Sequence, residues 1–112
     1  MSTTDSGKRA ERAVAEYLQV KGFKILEHNW RTKWCEIDVI AKKGETVFFV
    51  EVKYRESSRQ GDGLDYITPK KLDQMTFAAE LWVSSHNWQG EFCLAAAAVS
   101  GDDYSVTSFI EI

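Results

Sequence analysis

The stretch Glu36–Arg55 constrains this chain more than any other. Two apolar runs, Glu36–Lys42 and Thr46–Tyr54, read as antiparallel strands joined by a tight turn at Lys43-Gly44. The second run contains Val47-Phe48-Phe49-Val50, apolar on both faces before any charge appears. A strand of that kind belongs in the middle of a sheet that is covered on both sides. The rest of the chain therefore has to supply flanking strands and covering helices.

It does so in a definite order. Ala10, Ala13, Val14, Tyr17 and Leu18 recur at helical spacing and predict a helix over about Ser6–Lys21, with Gly22 as its left-handed cap. Phe23–Leu26 reads as a short alternating strand before the hairpin. Glu56–Ile67 is polar, contains Gly61-Asp62-Gly63 and reads as a loop. Thr68-Pro69 then opens a helix to about Ser84, with Thr as N-cap and Pro in the first helical position. Leu72, Met75, Ala79 and Trp82 form its apolar face. Glu91–Ser100 is a fourth strand, Gly101-Asp102-Asp103 a turn, and Ser105–Ile112 an edge strand. The order is α-β-β-β-α-β-β. A helix between the third and fourth strands makes them parallel, so the fold class is α/β with a mixed sheet flanked by helices.

Composition adds limits. At 112 residues, one domain spanning 1–112 is the expectation. Hydrophobic residues make up 44% and charged residues 28%, which excludes a disordered chain. No apolar run approaches the roughly 20 residues of a membrane span, and Met1–Ser6 lacks the features of a signal peptide. Two cysteines, Cys35 and Cys93, cannot staple a secreted fold, so a cytoplasmic location is expected. The net charge of −3 is unevenly spread. All 14 Lys and Arg lie within Lys8–Lys71, against 10 acids there; residues 72–112 hold six acids and no Lys or Arg. A basic substrate face and an acidic back follow from that asymmetry.

The hairpin also carries the chemistry. With a Lys43-Gly44 loop, Ile37 faces Val50 and Val39 faces Phe48, giving one apolar face. The other face holds Ile40, Val47 and Phe49 near the turn and Glu36, Asp38, Glu51 and Lys53 at the far end. Glu51 and Lys53 are two apart on one strand and point the same way. Asp38 lies diagonally from Glu51, about 7–8 Å away between backbones. Carboxylates crowded on a central strand lose hydration and repel one another unless a cation joins them. Mg²⁺ with oxygen ligands at about 2.0–2.1 Å fits such a pair, and the carbonyl of Val52 could add a further oxygen. Lys53 would orient the attacking water or neutralise charge on a phosphate.

At these residues the sequence resembles a known signature. Trp34-Cys35-Glu36-Ile37-Asp38-Val39-Ile40-Ala41, followed by Val47-Phe48-Phe49-Val50-Glu51-Val52-Lys53-Tyr54-Arg55, resembles the PD-(D/E)xK nuclease motif. More closely it looks like the YraN-like family of predicted endonucleases, related to Holliday junction resolvases. Gly7–Glu11 through Gly22-Phe23, His28-Asn29-Trp30-Arg31 and Ile67–Ala79 extend the likeness over nearly the whole chain. The chain departs from the family pattern at Ala10, at Cys35 and at Phe92-Cys93-Leu94. The resemblance implies a restriction-endonuclease-like fold and a divalent-metal-dependent DNA endonuclease using Mg²⁺ or Mn²⁺. Asp38 and Glu51 would be metal ligands and Lys53 the catalytic lysine. Glu11, on the first helix, would complete or orient the metal site. Branched DNA as substrate and a homodimer are further expectations, with neither a membrane partner nor a small-molecule cofactor.

Arg55, Arg59, Lys70 and Lys71 flank the motif and are candidate phosphate contacts. Trp30, Arg31, Lys33 and Trp34 interleave aromatic and basic residues in a loop, as base-stacking segments do, but packing of the tryptophans at the sheet edge is the favoured reading. Cys35 and Cys93 lack metal-binding spacing, and His28 and His86 read as surface or capping residues. Two alternatives to an enzyme are a nuclease-fold protein that binds nucleic acid without cutting it, and a protein docking partner acting through the acidic last third.

Overall fold

The computed structural model describes residues 5–56 and 66–112. Helix α1 spans Asp5–Val20, followed by strands β1 (Lys24–Arg31), β2 (Glu36–Lys43) and β3 (Thr46–Arg55). Helix α2 spans Pro69–Ser85, and strands β4 (Glu91–Ser100) and β5 (Ser105–Glu111) complete the order α-β-β-β-α-β-β. The five strands form one sheet in the order β1-β2-β3-β4-β5. Pairing is antiparallel except between β3 and β4, which run parallel. This is a mixed α/β architecture consistent with a restriction-endonuclease-like fold, with β3 at its centre.

The sheet lies between its two helices. Ala10, Val14 and Leu18 of α1 pack against Val39, Ala41, Phe48, Val50, Ala95, Ala97 and Val99. On the opposite face Met75, Ala78, Ala79 and Trp82 of α2 pack against Ile37, Ile40, Val47, Phe49 and Leu94. Each large apolar side chain buried this way contributes roughly 1.5–3 kcal/mol. The small residues Ala95 and Ala97 let α1 approach β4 closely. Leu72, expected on the buried face of α2, is instead exposed.

Local signals explain the helix ends. Gly22 sits at φ 95°, its N–H donates to the Gln19 carbonyl and the Phe23 N–H to that of Leu18, a Schellman closure of α1. The Thr68 hydroxyl accepts from the Lys71 N–H and Pro69 follows it, so α2 begins where the sequence places it.

The hairpin departs from expectation in register. Lys43 pairs with Thr46 and Val39 with Val50, so the loop is Gly44-Glu45 and the pairing is displaced by two residues from that expected. The cause is the turn. Gly44 has φ 61° while Glu45 does not enter the left-handed region, the pattern of a type II′ turn, which wants Gly in the first of two loop positions. A two-residue displacement preserves faces, because side chains alternate with period 2. Val39, Phe48 and Val50 therefore stay on one face and Ile40, Val47 and Phe49 on the other.

Strand β1 differs more. It runs to Arg31 rather than ending at Leu26, so Trp30 and Arg31 belong to a strand, paired with Ile37 and Glu36, and not to a loop. The register shifts between Ile25 and Glu27, and Asn29 has φ 51°. Two such irregularities erase the period-2 pattern by which a strand is read from sequence.

Candidate active site

Antiparallel pairing brings the start of β2 beside the end of β3, at the end of the sheet away from the Gly44-Glu45 turn. Asp38 and Glu51 meet there. The β2–β3 ladder runs only as far as Val39–Val50. Beyond it the alternation of β2 breaks, with Ile37 joining the α2-side core and Val39 the α1-side core. The expected all-apolar face that included Ile37 therefore ends at Asp38. Freed from a regular register, the Asp38 carboxylate turns to the neighbouring backbone, and its Oδ2 accepts from the Val52 N–H at 2.8 Å. Asp38 is thus not a simple diagonal neighbour of Glu51, and the engaged group of Val52 is its N–H.

Asp38 is 7% exposed and Glu11 is 5% exposed, and among the described residues they are the buried charged ones. Burial pushes the Asp38 carboxyl up to about 8; the Glu51, Glu11 and Glu36 charges add to the rise and the Val52 N–H opposes it. Burial likewise raises the Glu51 carboxyl, against the pull of Lys71. Four acids from α1, β2 and β3 thus share one field. Glu11 comes from α1 as expected, and its Oε1 accepts from Asn29 Nδ2 at 2.9 Å. Asn29 was not among the expected site residues. Its signal was its type, since Asn tolerates the left-handed region better than other residues with a side chain of its size.

Lys71, expected as a phosphate contact, is the lysine that pairs with Glu51. Lys53 is exposed, and its ammonium lies over the Tyr66 ring, 5.9 Å from the centroid. Tyr66 in turn donates from its hydroxyl to the Glu51 carbonyl at 3.3 Å. Among the described residues the side chain paired with Glu51 is Lys71, from the first turn of α2, with Nζ 3.3 Å from Glu51 Oε2. The other carboxylate oxygen, Glu51 Oε1, is buried and has no hydrogen-bond partner among the described residues.

The remaining basic candidates are dispersed. Arg31 Nη2 lies 4.0 Å from Glu36 Oε2. The Lys33 ammonium lies over the Trp34 ring at 5.7 Å, and Trp34 meets Phe77 edge-on at 4.5 Å with both rings exposed. Lys70 is exposed at the start of α2, and Arg55 is half-buried at the end of β3. Arg59 lies outside the described residues. Cys35 adjoins the acids; burial raises its thiol and its Sγ–H donates to the Gln74 carbonyl at 3.5 Å, both of which favour the neutral thiol over the thiolate. His86 caps α2, stacks on Trp82 and meets Glu27 at 3.5 Å, a structural role.

Among the described residues no three His, Cys, Asp or Glu side chains converge as a metal cage. A Mg²⁺ ion does not require one, being held typically by one or two carboxylates together with water and substrate phosphate. The donor set fits that habit: hard oxygen ligands, a surplus of negative charge, and in Glu51 Oε1 a buried oxygen with no donor to satisfy it.

A model of the uncharacterised protein family UPF0102 matches residues 10–100. The chain belongs to the UPF0102 family. A UPF0102 protein of Vibrio vulnificus is 40% identical over 82 residues, covering 73% of this chain and 67% of that protein. One from Pseudomonas fluorescens is 39% identical over 93 residues, covering 82% and 78%. One from Cytophaga hutchinsonii is 34% identical over 106 residues, covering 95% and 94%. The UPF0102 match spans Glu11, Asp38, Glu51 and Lys71, so the whole acid cluster and its ammonium lie in the family's shared region. No helix among the described residues of this UPF0102 chain is long and apolar enough to cross a membrane.

Proposed function

We propose that this UPF0102 protein is a divalent-metal-dependent endonuclease that hydrolyses phosphodiester bonds in DNA. The observation that carries this reading is the buried Asp38 beside the half-buried Glu51, one of whose oxygens is buried and lacks a donor among the described residues. Acids buried together at a sheet end are costly unless a cation compensates them. Asp38 and Glu51 would hold Mg²⁺ or Mn²⁺, with Glu11, fixed by Asn29, adding negative charge beside them. Such a cation supplies electrostatic stabilisation of the charge that develops on the phosphate during in-line attack by water. Lys53 and Lys70, both exposed near this end, would meet phosphate oxygens. The likeness to the YraN-like endonucleases and resolvases supports branched DNA as the preferred substrate and a homodimer as the acting form. Two free thiols, Cys35 and Cys93, support a cytoplasmic setting.

A second reading, a nuclease-fold protein that binds nucleic acid without cutting it, is favoured by the position of Lys53 over Tyr66 rather than against the carboxylates. One experiment separates the two. The protein is incubated with duplex, flap and four-way junction DNA in Mg²⁺ or Mn²⁺, beside Glu51→Ala and Lys53→Ala. The nuclease reading expects cleavage that needs the metal and falls at least about 100-fold in Glu51→Ala. Binding without cleavage selects the second reading. Equal cleavage by all three proteins sinks the site assignment.

A further inference from the structure

We propose that Lys71 is the resident counter-ion of the carboxylate site, so that a divalent cation binds Glu51 by displacing the Lys71 ammonium. This rests on the metal-dependent reading above and adds to it a residue from α2 with a defined task.

Four observations support it. The Lys71 ammonium is 3.3 Å from Glu51 Oε2, and the two side chains are only 27% and 15% exposed. An ion pair this shielded from water is not the freely exchanging surface kind. Next, Lys71 breaks a local rule. It sits in the first turn of α2, where the backbone dipole favours anions, and that turn contains no acid. A cation held against its own helix signals a compensating gain elsewhere, here Glu51. Third, the first turn is fixed by the Thr68 cap and by Pro69, so the Lys71 stem starts from a rigid point. Fourth, Glu51 is half satisfied: Oε2 has the ammonium, while Oε1 is buried without a partner among the described residues. The ion pair neutralises the carboxylate without saturating it.

Both cations draw on the same single negative charge, and their mutual repulsion in a shielded site weakens the hold of each. The ammonium and the divalent ion are therefore competitors, and removing one favours the other. Lys53 has no such role, since its ammonium lies over Tyr66.

The test is calorimetric titration of the full chain with MnCl₂ or MgCl₂ alone, without DNA. Lys71→Met is expected to bind the metal roughly tenfold more tightly than wild type, within the usual range of coupling between competing ligands. Lys24→Met removes one positive charge from β1, where Lys24 pairs with Lys42 near the hairpin turn, and is expected to stay within about twofold of wild type. Should Lys71→Met fail to fold, Lys71→Gln, whose amide can still donate to Glu51, is expected to shift affinity in the same direction. In wild type, the NMR signal of the Lys71 side-chain terminus is expected to move on Mg²⁺ titration. Equal or weaker metal binding by the Lys71 variants, with wild type binding normally, overturns the inference and leaves the metal reading intact. Tightening of the same size in Lys24→Met also overturns it, since net charge alone would then be the cause. Absence of metal binding in every protein overturns both.

Discussion

Asn29 stands across from Asp38, between the pairs His28–Val39 and Trp30–Ile37, at the point where both strands lose their alternation. Asn29 there has φ 51° and turns its amide to Glu11 on α1; Asp38 turns its carboxylate to the Val52 N–H of β3. One irregularity shared by two strands thus aims two side chains that a regular ladder would have sent elsewhere.

Asn29 makes two separable contributions, backbone and side chain. Asn29→Gly keeps the left-handed backbone and loses the hydrogen bond, leaving the buried Glu11 oxygen without its donor, at a cost of about 1–3 kcal/mol. Asn29→Ala loses both and is expected to be a further 1–2 kcal/mol or so less stable. Urea midpoints of the two variants check the order; Asn29→Ala as stable as Asn29→Gly contradicts it.

Lys53 and Lys71 should differ sharply in what they contribute to stability. Lys71→Ala leaves the largely buried Glu51 without its ammonium and is expected to cost about 1–3 kcal/mol, discounted from a fully buried pair because both groups retain some exposure. Lys53→Ala removes an exposed side chain and should fall within about 0.5 kcal/mol of wild type. Denaturation in EDTA measures both.

Stability should fall as pH rises. In the folded protein the Asp38 carboxyl keeps its proton to about pH 8, whereas an unfolded Asp releases it near about 3.9. Between those values the native state holds more protons than the unfolded one, so stability declines across the window and levels off above it. Glu51, raised in the same direction, adds to the decline. Urea midpoints in EDTA from pH 5 to 8.5 should therefore drop in wild type and drop less in Asp38→Asn. The Asn variant keeps an oxygen for the Val52 N–H and cannot ionise.

Much of this arrangement was legible in the sequence, and the exceptions have physical causes. The faces of the hairpin followed from period 2 alone and survived a register displaced by two. The register itself hinged on which loop position takes the glycine, a matter of φ at Gly44. Asp38 and Glu51 were visible because acids on an otherwise apolar strand conflict with their surroundings. Strand β1 was half hidden, because the register shift at Ile25/Glu27 and the left-handed Asn29 remove the pattern that announces a strand. The Lys71–Glu51 pair was not legible, because it joins a helix start to a strand across 20 residues of sequence, and Lys53 offered a nearer cation.

Gly90 marks a close approach. A Cβ there would lie 2.4 Å from the Glu45 carbonyl oxygen and 2.6 Å from the Trp88 ring, next to the bond from the Glu91 N–H to the same carbonyl. Gly90→Ala is expected to cost about 1–3 kcal/mol through overpacking against backbone. Gly44→Asn, in open space at φ 61°, should cost far less. Thermal melts of the two distinguish a steric need from a conformational one.

The parallel pairing of β3 with β4 has a kinetic consequence. The β2–β3 hairpin closes over two residues, so it can form early. Thr46, however, meets Glu91 only after α2 has crossed over, and long loops of that kind are closed late. During folding the acids are therefore gathered before Lys71 reaches them. A chain halted at the hairpin would carry its negative charges exposed and mutually repelling, and docking of α2 would be drawn in by charge as well as by apolar contact. The last step of assembly would then be the one that makes the carboxylates tolerable, which ties the integrity of the site to completion of the fold.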